Sequence, residues 1–160
     1  MPDSIMPGSD ALAGERTQPP GERVDRTAGE TALALVTAIH RHDFGALEEL
    51  LAPEHVLVDA VGAEVRGAPA ALEAWRTYLG WFPDYEMKIE RRFESEGRVA
   101  LFGVASGTYA GATSPARGRW AIPAAWLAEA RGGRVTRWQV FADNQPVRAI
   151  LERAAAEGVS

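Results

Sequence analysis

A chain of 160 residues is long enough for one domain with a real core, and 24% charged against 46% hydrophobic residues is the balance of an ordinary globular protein. The net charge of -5 offers nothing to nucleic acid or to an anionic membrane surface, both of which call for a basic face. Cysteine is absent, which excludes a disulfide framework, a thiolate nucleophile and a cysteine metal site and fits a cytoplasmic protein.

No window approaches the roughly 20 consecutive apolar residues of a membrane-spanning helix. The first stretch has Asp3 where a secretory signal carries basic residues, and it has no continuous apolar run. It is rich in Pro, Gly and charge, so residues 1 to 27 are expected to be a disordered tail and residues 28 to 156 a single domain.

From Thr27 to His40, Ala32, Leu35, Val36 and Ile39 recur at helical spacing, and Thr27 three residues before Glu30 has the form of a capping box. A second short helix is expected from Gly45 to Leu51, closed by Pro53. His40 and His42 lie two apart and cannot share a helix face, so no metal site is expected.

His55 to Ala60 reads as a short strand, with His55, Leu57 and Asp59 on one face. Gly62 and Gly67 bracket a brief return. Pro69 to Trp81 reads as a helix whose Leu72, Trp75, Tyr78 and Leu79 turn inward, and Pro83 ends it. Strands follow at Tyr85 to Phe93 and Val99 to Tyr109, with a turn around Glu96 and Gly97.

The next two strands, Arg119 to Ala130 and Val135 to Asp143, are joined at Gly132 and Gly133 and carry three of the five tryptophans. Alternation puts Trp120, Ile122, Ala124 and Trp126 on one face, and Trp138, Val140 and Ala142 on one face of the following strand. Those indoles either fill an ordinary core or line a ligand cavity. A closing helix begins at Pro146, for which Asn144 is the expected cap and Asp143 a favourable charge at the positive end.

Strands grouped beside segregated helices imply an α+β domain with a mostly antiparallel sheet. A long sheet of that kind curls around its helices into a cone and leaves a concave pocket of the sort small molecules use.

Three segments carry a resemblance: HRHDFGALEELLAPE, VDAVGAEVRGAPAALEAW and GGRVTRWQVFADNQPVRAIL. They resemble the SnoaL-like, polyketide-cyclase-like branch of the nuclear transport factor 2-like superfamily, over residues from about 29 to 153. The resemblance implies that cone-shaped, cystatin-like α+β barrel, a homodimer formed through the outer sheet face, and no cofactor. Members of the superfamily include ketosteroid isomerases, limonene epoxide hydrolases, polyketide aldol cyclases, dehydratases and modules without catalysis, and one fold hosts many chemistries.

The resemblance can be carried over position by position. The catalytic aspartate of ketosteroid isomerases falls on Asp59, within VDAVG. Their oxyanion-hole tyrosine falls near Ala38 and the second aspartate near Ala124, neither of which can donate a hydrogen bond, so steroid isomerisation of that type is not expected. The Arg-x-Asp and Asp of limonene epoxide hydrolases fall on Val104, Ser106 and Val140, so that triad is missing too.

The expected pocket is therefore apolar: Phe102, Val104, Ser106, Thr108, Trp120, Ile122, Ala124, Trp126, Trp138 and Val140, with Trp75 and Tyr78 from the helix. Asp59 is its one acid, with His55 as a candidate partner; the competing role for Asp59 is to bond its own backbone in a turn. Two functions follow. One is an enzyme performing acid/base proton transfer on a hydrophobic polycyclic or polyketide-like substrate, by aldol cyclisation, isomerisation or dehydration. The other is a module that binds an apolar ligand, or dimerises, without catalysis.

Overall fold

The computed structural model describes residues 26 to 158, so all but the last two residues of the expected tail lie outside the described residues. The chain runs α1 (Ala28–His40), α2 (Phe44–Leu50), β1 (Leu51–Val58), β2 (Glu64–Arg66), α3 (Ala68–Trp81), β3 (Glu86–Ser95), β4 (Arg98–Thr108), α4 (Pro115–Gly118), β5 (Arg119–Arg131), β6 (Arg134–Ala142) and α5 (Gln145–Gly158). The six strands form one sheet in the order β2-β1-β6-β5-β4-β3. All neighbours are antiparallel except β1 and β6.

Local chemistry sets the element ends. Thr27 caps α1 by accepting from the Glu30 backbone N–H at 3.0 Å, while the Glu30 carboxylate accepts from the Thr27 N–H at 3.0 Å, the reciprocal capping box expected from the sequence. Replacing Thr27 by Ala should cost about 1 kcal/mol, measurable as a lower urea midpoint. Asp43 caps α2 in the same way, accepting from Ala46 N–H at 3.0 Å.

Two tight turns set the strand registers. Glu96 and Gly97 (φ 51° and 79°) join β3 to β4, and Gly132 and Gly133 (φ 62° and 79°) join β5 to β6. Positive φ at both central residues gives the turn whose twist matches that of a hairpin. The registers Ser95 to Arg98 and Arg131 to Arg134 follow directly.

Register shifts in β1, β3 and β6 bend the sheet, because an extra residue on one strand increases local twist. The sheet curls without closing. Its concave face is filled from α1 by Ala32, Leu35, Val36 and Ile39 and from α3 by Ala71, Trp75 and Leu79. From the sheet come Val99, Leu101, Ile122, Trp126, Ala128, Val135 and Trp138. The α+β cone expected from the sequence is the fold observed.

The parity of β5 is also as expected, since Trp120, Ile122, Ala124, Trp126 and Ala128 are all buried. On β4 the expectation fails. Directly opposed residues of an antiparallel pair share a face. Ala105 opposes Ile122 and Gly107 opposes Trp120, while Val104 opposes Pro123 and Ser106 opposes Ala121. Leu101, Gly103, Ala105 and Gly107 therefore face inward, and Phe102, Val104, Ser106 and Thr108 face outward. β1 also begins earlier than expected, at Leu51, and carries Pro53 within it.

Candidate functional site

Between α3, the β1–β2 turn and the concave faces of β4, β5 and β6 lies a cavity of about 220 Å³, partly open to solvent. Its walls are mostly apolar. Leu57 and Val65 come from the short hairpin, Ala74 and Trp75 from α3, and Ala105, Trp120, Ile122, Ala124, Val140 and Ala142 from the sheet. The space exists because four of these wall positions, Ala74, Ala105, Ala124 and Ala142, carry only a methyl group.

Tyr78 and Tyr85 also line the cavity and belong to a cluster of rings. Their centroids are 5.1 Å apart with planes at 89°, an edge-to-face pair. Trp75 packs edge-on to Tyr78 at 6.0 Å, Phe82 touches Tyr78 at 4.9 Å and Trp120 at 5.4 Å, and Tyr85 lies 6.2 Å from Trp120. Burial pushes both phenols well above the usual tyrosine range, and Tyr78 adds to the effect on Tyr85. Trp126 offsets part of the shift at Tyr85, although its indole N–H does not reach hydrogen-bond geometry. Both phenols are neutral across the physiological range and keep a proton to donate.

The polar rim is formed by Asp59 and Asn144. Asp59 follows β1 directly, and its Oδ1 accepts from the N–H groups of Val61 at 3.0 Å and Ala63 at 2.9 Å. The backbone closes the same turn, with Gly62 N–H donating to Asp59 O and Asp59 N–H to Ala63 O, both at 3.0 Å. The hydrogen bonds are those of the turn role considered for Asp59, and the residue also edges the cavity. It is also exposed.

Asn144 precedes α5 and was read from the sequence as its cap. The side-chain cap is Asp143, whose Oδ1 accepts from Gln145 N–H at 3.0 Å, while the Asn144 carbonyl accepts from Arg148 N–H at 2.9 Å. The Asn144 side chain is left to the cavity.

His55 does not join Asp59 at the cavity. It is fully buried, and its Nδ1–H donates to the Val135 carbonyl at 2.8 Å, which ties β1 to the start of β6. The other nitrogen, Nε2, has no partner among the described residues. Burial lowers its pKa from the ordinary 6.5, and the bond to Val135 offsets part of that.

The unfolded chain therefore takes up a proton on this residue at a higher pH than the folded chain does, so stability is full above about pH 6.5 and falls as pH drops below it. Burial lowers His40 in the same direction. Urea midpoints should decrease on going from about pH 7.5 to about pH 5, and His55→Asn should flatten that slope.

Of the twelve residues expected to line the pocket, Trp75, Tyr78, Trp120, Ile122, Ala124 and Val140 do so. Phe102, Val104, Ser106 and Thr108 lie on the opposite face of β4, with Phe102 43% exposed. Trp126 and Trp138 point inward but sit deeper, 1% and 0% exposed in the core beneath the cavity. The residues that sequence reasoning missed are chiefly Tyr85, Ala105 and Asn144. Among the described residues no group of three or more His, Asp or Glu side chains gathers as a metal site.

Several solved structures share the architecture. IdmH of Streptomyces antibioticus, a proposed polyketide cyclase, is 23% identical with a TM-score of 0.67, over 79% of this chain and 99% of its own. A protein with a ketosteroid isomerase-like fold from Catenulispora acidiphila, solved with trimethylamine, is 24% identical with a TM-score of 0.67, over 78% of this chain and 92% of its own. An epoxide hydrolase of M. tuberculosis is 20% identical with a TM-score of 0.65, over 82% of this chain and 94% of its own. At these identities the likeness is one of fold. No curated protein matches the sequence. The model of the SnoaL-like domain matches residues 32–138, and the chain belongs to that family.

Proposed function

We propose that the chain is an enzyme of acid/base proton transfer, acting on a small hydrophobic molecule held in the aromatic cavity, with Asp59 as the base. The reaction class is aldol cyclisation, isomerisation or dehydration, and the residues invoked need no cofactor. The observation that carries this reading is the position of Asp59. It is the one carboxylate lining the cavity among the described residues, and two backbone N–H groups hold its Oδ1 in place. A base fixed before the substrate arrives loses little freedom on reaction.

A second reading, a ligand-binding module without catalysis, is favoured by one observation: Asp59 is exposed, and His55 lies in the core instead of beside it. Solvent-deuterium incorporation next to the carbonyl of 1-indanone, followed by NMR, separates the two. Catalysed exchange that drops roughly 100-fold in Asp59→Asn supports the enzyme. Exchange unaffected by that change removes Asp59 from the role. Binding without any catalysed exchange supports the module.

The outer sheet face supports association of two copies. Phe93 and Phe102 are 59% and 43% exposed, with ring centroids 6.0 Å apart. Val104, Pro123, Ala125 and Leu127 share that face by register. Light scattering should find a dimer that Phe102→Glu dissociates; a monomeric wild type would rule the interface out.

A further inference from the structure

All of the charge that borders the cavity has one sign. Among the described residues no Lys, Arg or His lines it, and its one ionisable group besides the tyrosines is the Asp59 carboxylate. Asp59 enters no ion pair among the described residues, and its Oδ1 accepts only backbone N–H groups. Burial keeps the two lining phenols neutral across the physiological range. The net charge of -5 on the whole chain adds to the same sign. An anionic head group would enter this space with no cation to meet it, and a charge taken from water without a partner is strongly disfavoured.

Much of the wall is aromatic. Trp75, Tyr78, Tyr85 and Trp120 all line the cavity, with neighbouring ring centroids 5.1 to 6.3 Å apart and planes turned by 39° to 89°. The Nε1 atoms of Trp75 and Trp120 are buried within the wall, so what these indoles offer the cavity is ring carbon and not N–H. A cation within about 6 Å of such a ring centroid is attracted by its π electrons, most strongly over Trp and more so where water is excluded. A methylated ammonium carries its charge on apolar methyl groups, which suit an alkyl and aromatic wall better than the strongly hydrated N–H donors of a primary amine. The space limits the skeleton: a cavity of about 150 Å³ accommodates benzene. One of about 220 Å³, open at its mouth, takes a single ring bearing the ammonium group. We propose that the cavity binds an organic cation, a methylated ammonium on a small apolar skeleton, with the rings of Trp75, Tyr78, Tyr85 and Trp120 against the charge and Asp59 as counter-charge. This ligand class rests on the reading of the cavity as the binding site and requires no turnover.

Phenyltrimethylammonium and tert-butylbenzene share a shape and differ by the charge, a cationic nitrogen replacing carbon. Their binding, followed through the indole N–H signals of Trp75 and Trp120, tests the assignment. Water holds the ammonium more strongly than the hydrocarbon, so a protein that binds the cation at least as tightly supplies a compensating attraction, and that is the result expected of the wild type. Asp59→Asn keeps an Oδ1 acceptor for the turn and removes the charge. It should weaken the cation about fivefold, as one exposed charge pair implies, and leave tert-butylbenzene unchanged. Incorporating 5-fluorotryptophan, which draws π density from the rings, should weaken the cation alone by about threefold. Benzoate, an anion of similar size, should leave the signals unmoved. Preference of the wild type for tert-butylbenzene by more than tenfold overturns the cation assignment while the cavity reading stands. So does a cation affinity unchanged in Asp59→Asn or unchanged by fluorination, and so does tighter binding of benzoate than of the cation. If none of the three molecules binds, the cavity reading falls and the assignment with it, whereas failure of deuterium exchange on 1-indanone removes the enzyme reading alone.

Discussion

Gly103→Ala should be the most damaging single methyl in this chain, costing more than about 3 kcal/mol of stability or preventing folding. The register shift between Ile89 and Arg91 in β3 swings the Lys88 carbonyl across the inner side of β4. A Cβ on Gly103 would fall within the Lys88 carbonyl oxygen, 2.9 Å from its carbon and 3.2 Å from Glu90 N. These are backbone atoms at a bulge, so no side-chain rotation relieves the clash. Either the β3–β4 ladder separates there or the bulge is lost, and both outcomes disturb Ala105 and Ala124 at the cavity wall. Denaturant melts of Gly103→Ala beside Gly80→Ala, whose Cβ meets nothing within 4 Å, would isolate the steric effect.

The second large effect concerns the site. Ala124→Leu should reduce binding of 1-indanone by 100-fold or more, since the added branched side chain points into the volume the ligand needs. Ala124 is 9% exposed and opposes Gly103 on one strand and Ala142 on the other, so the new side chain finds space only in the cavity. Filling an existing void buries apolar surface without stretching the core, so the melting temperature should stay level or rise. Loss of binding with retained stability would place the ligand against this wall. Unaltered affinity would place it elsewhere.

Much of this was legible in the sequence because it depends on local chemistry. The Thr27 and Glu30 capping box, the paired turns at Glu96–Gly97 and Gly132–Gly133, and the inward face of β5 each follow from a few neighbouring residues. The inward face of β4 does not. Its connection to β5 is a long loop through α4, so no tight turn fixes the register between the two strands. The bulky Phe102 and Val104 face outward, while Gly103, Ala105 and Gly107 face inward, the reverse of the usual pattern. Aromatic rings from other elements take the space: a Cβ on Gly107 would come within 3.1 Å of the Trp120 ring and 3.3 Å of Phe82.

The same non-local packing hid part of the site. Tyr85 looked like the start of a strand, and only the fold brings it against Tyr78 and Trp120. Asn144 has a sequence context that argues for a cap, yet Asp143 supplies the capping bond and releases Asn144 to the rim. His55 lay on the same predicted strand face as Asp59. The register shift between Leu51 and Val56 and the bond to Val135 turn it into the core.

The measurement that tests the central claim most directly is an NMR titration of the indole N–H signals, assigned by single Trp→Phe substitutions, with 1-indanone. Trp75 and Trp120 line the cavity, Trp126 and Trp138 lie in the core below it, and Trp81 is 46% exposed at the end of α3. If the cavity is the binding site, the signals of Trp75 and Trp120 move most and saturate together, while Trp138 and Trp81 stay nearly still. Saturable shifts centred on Trp81 or Trp138, with Trp75 and Trp120 unmoved, would contradict the account.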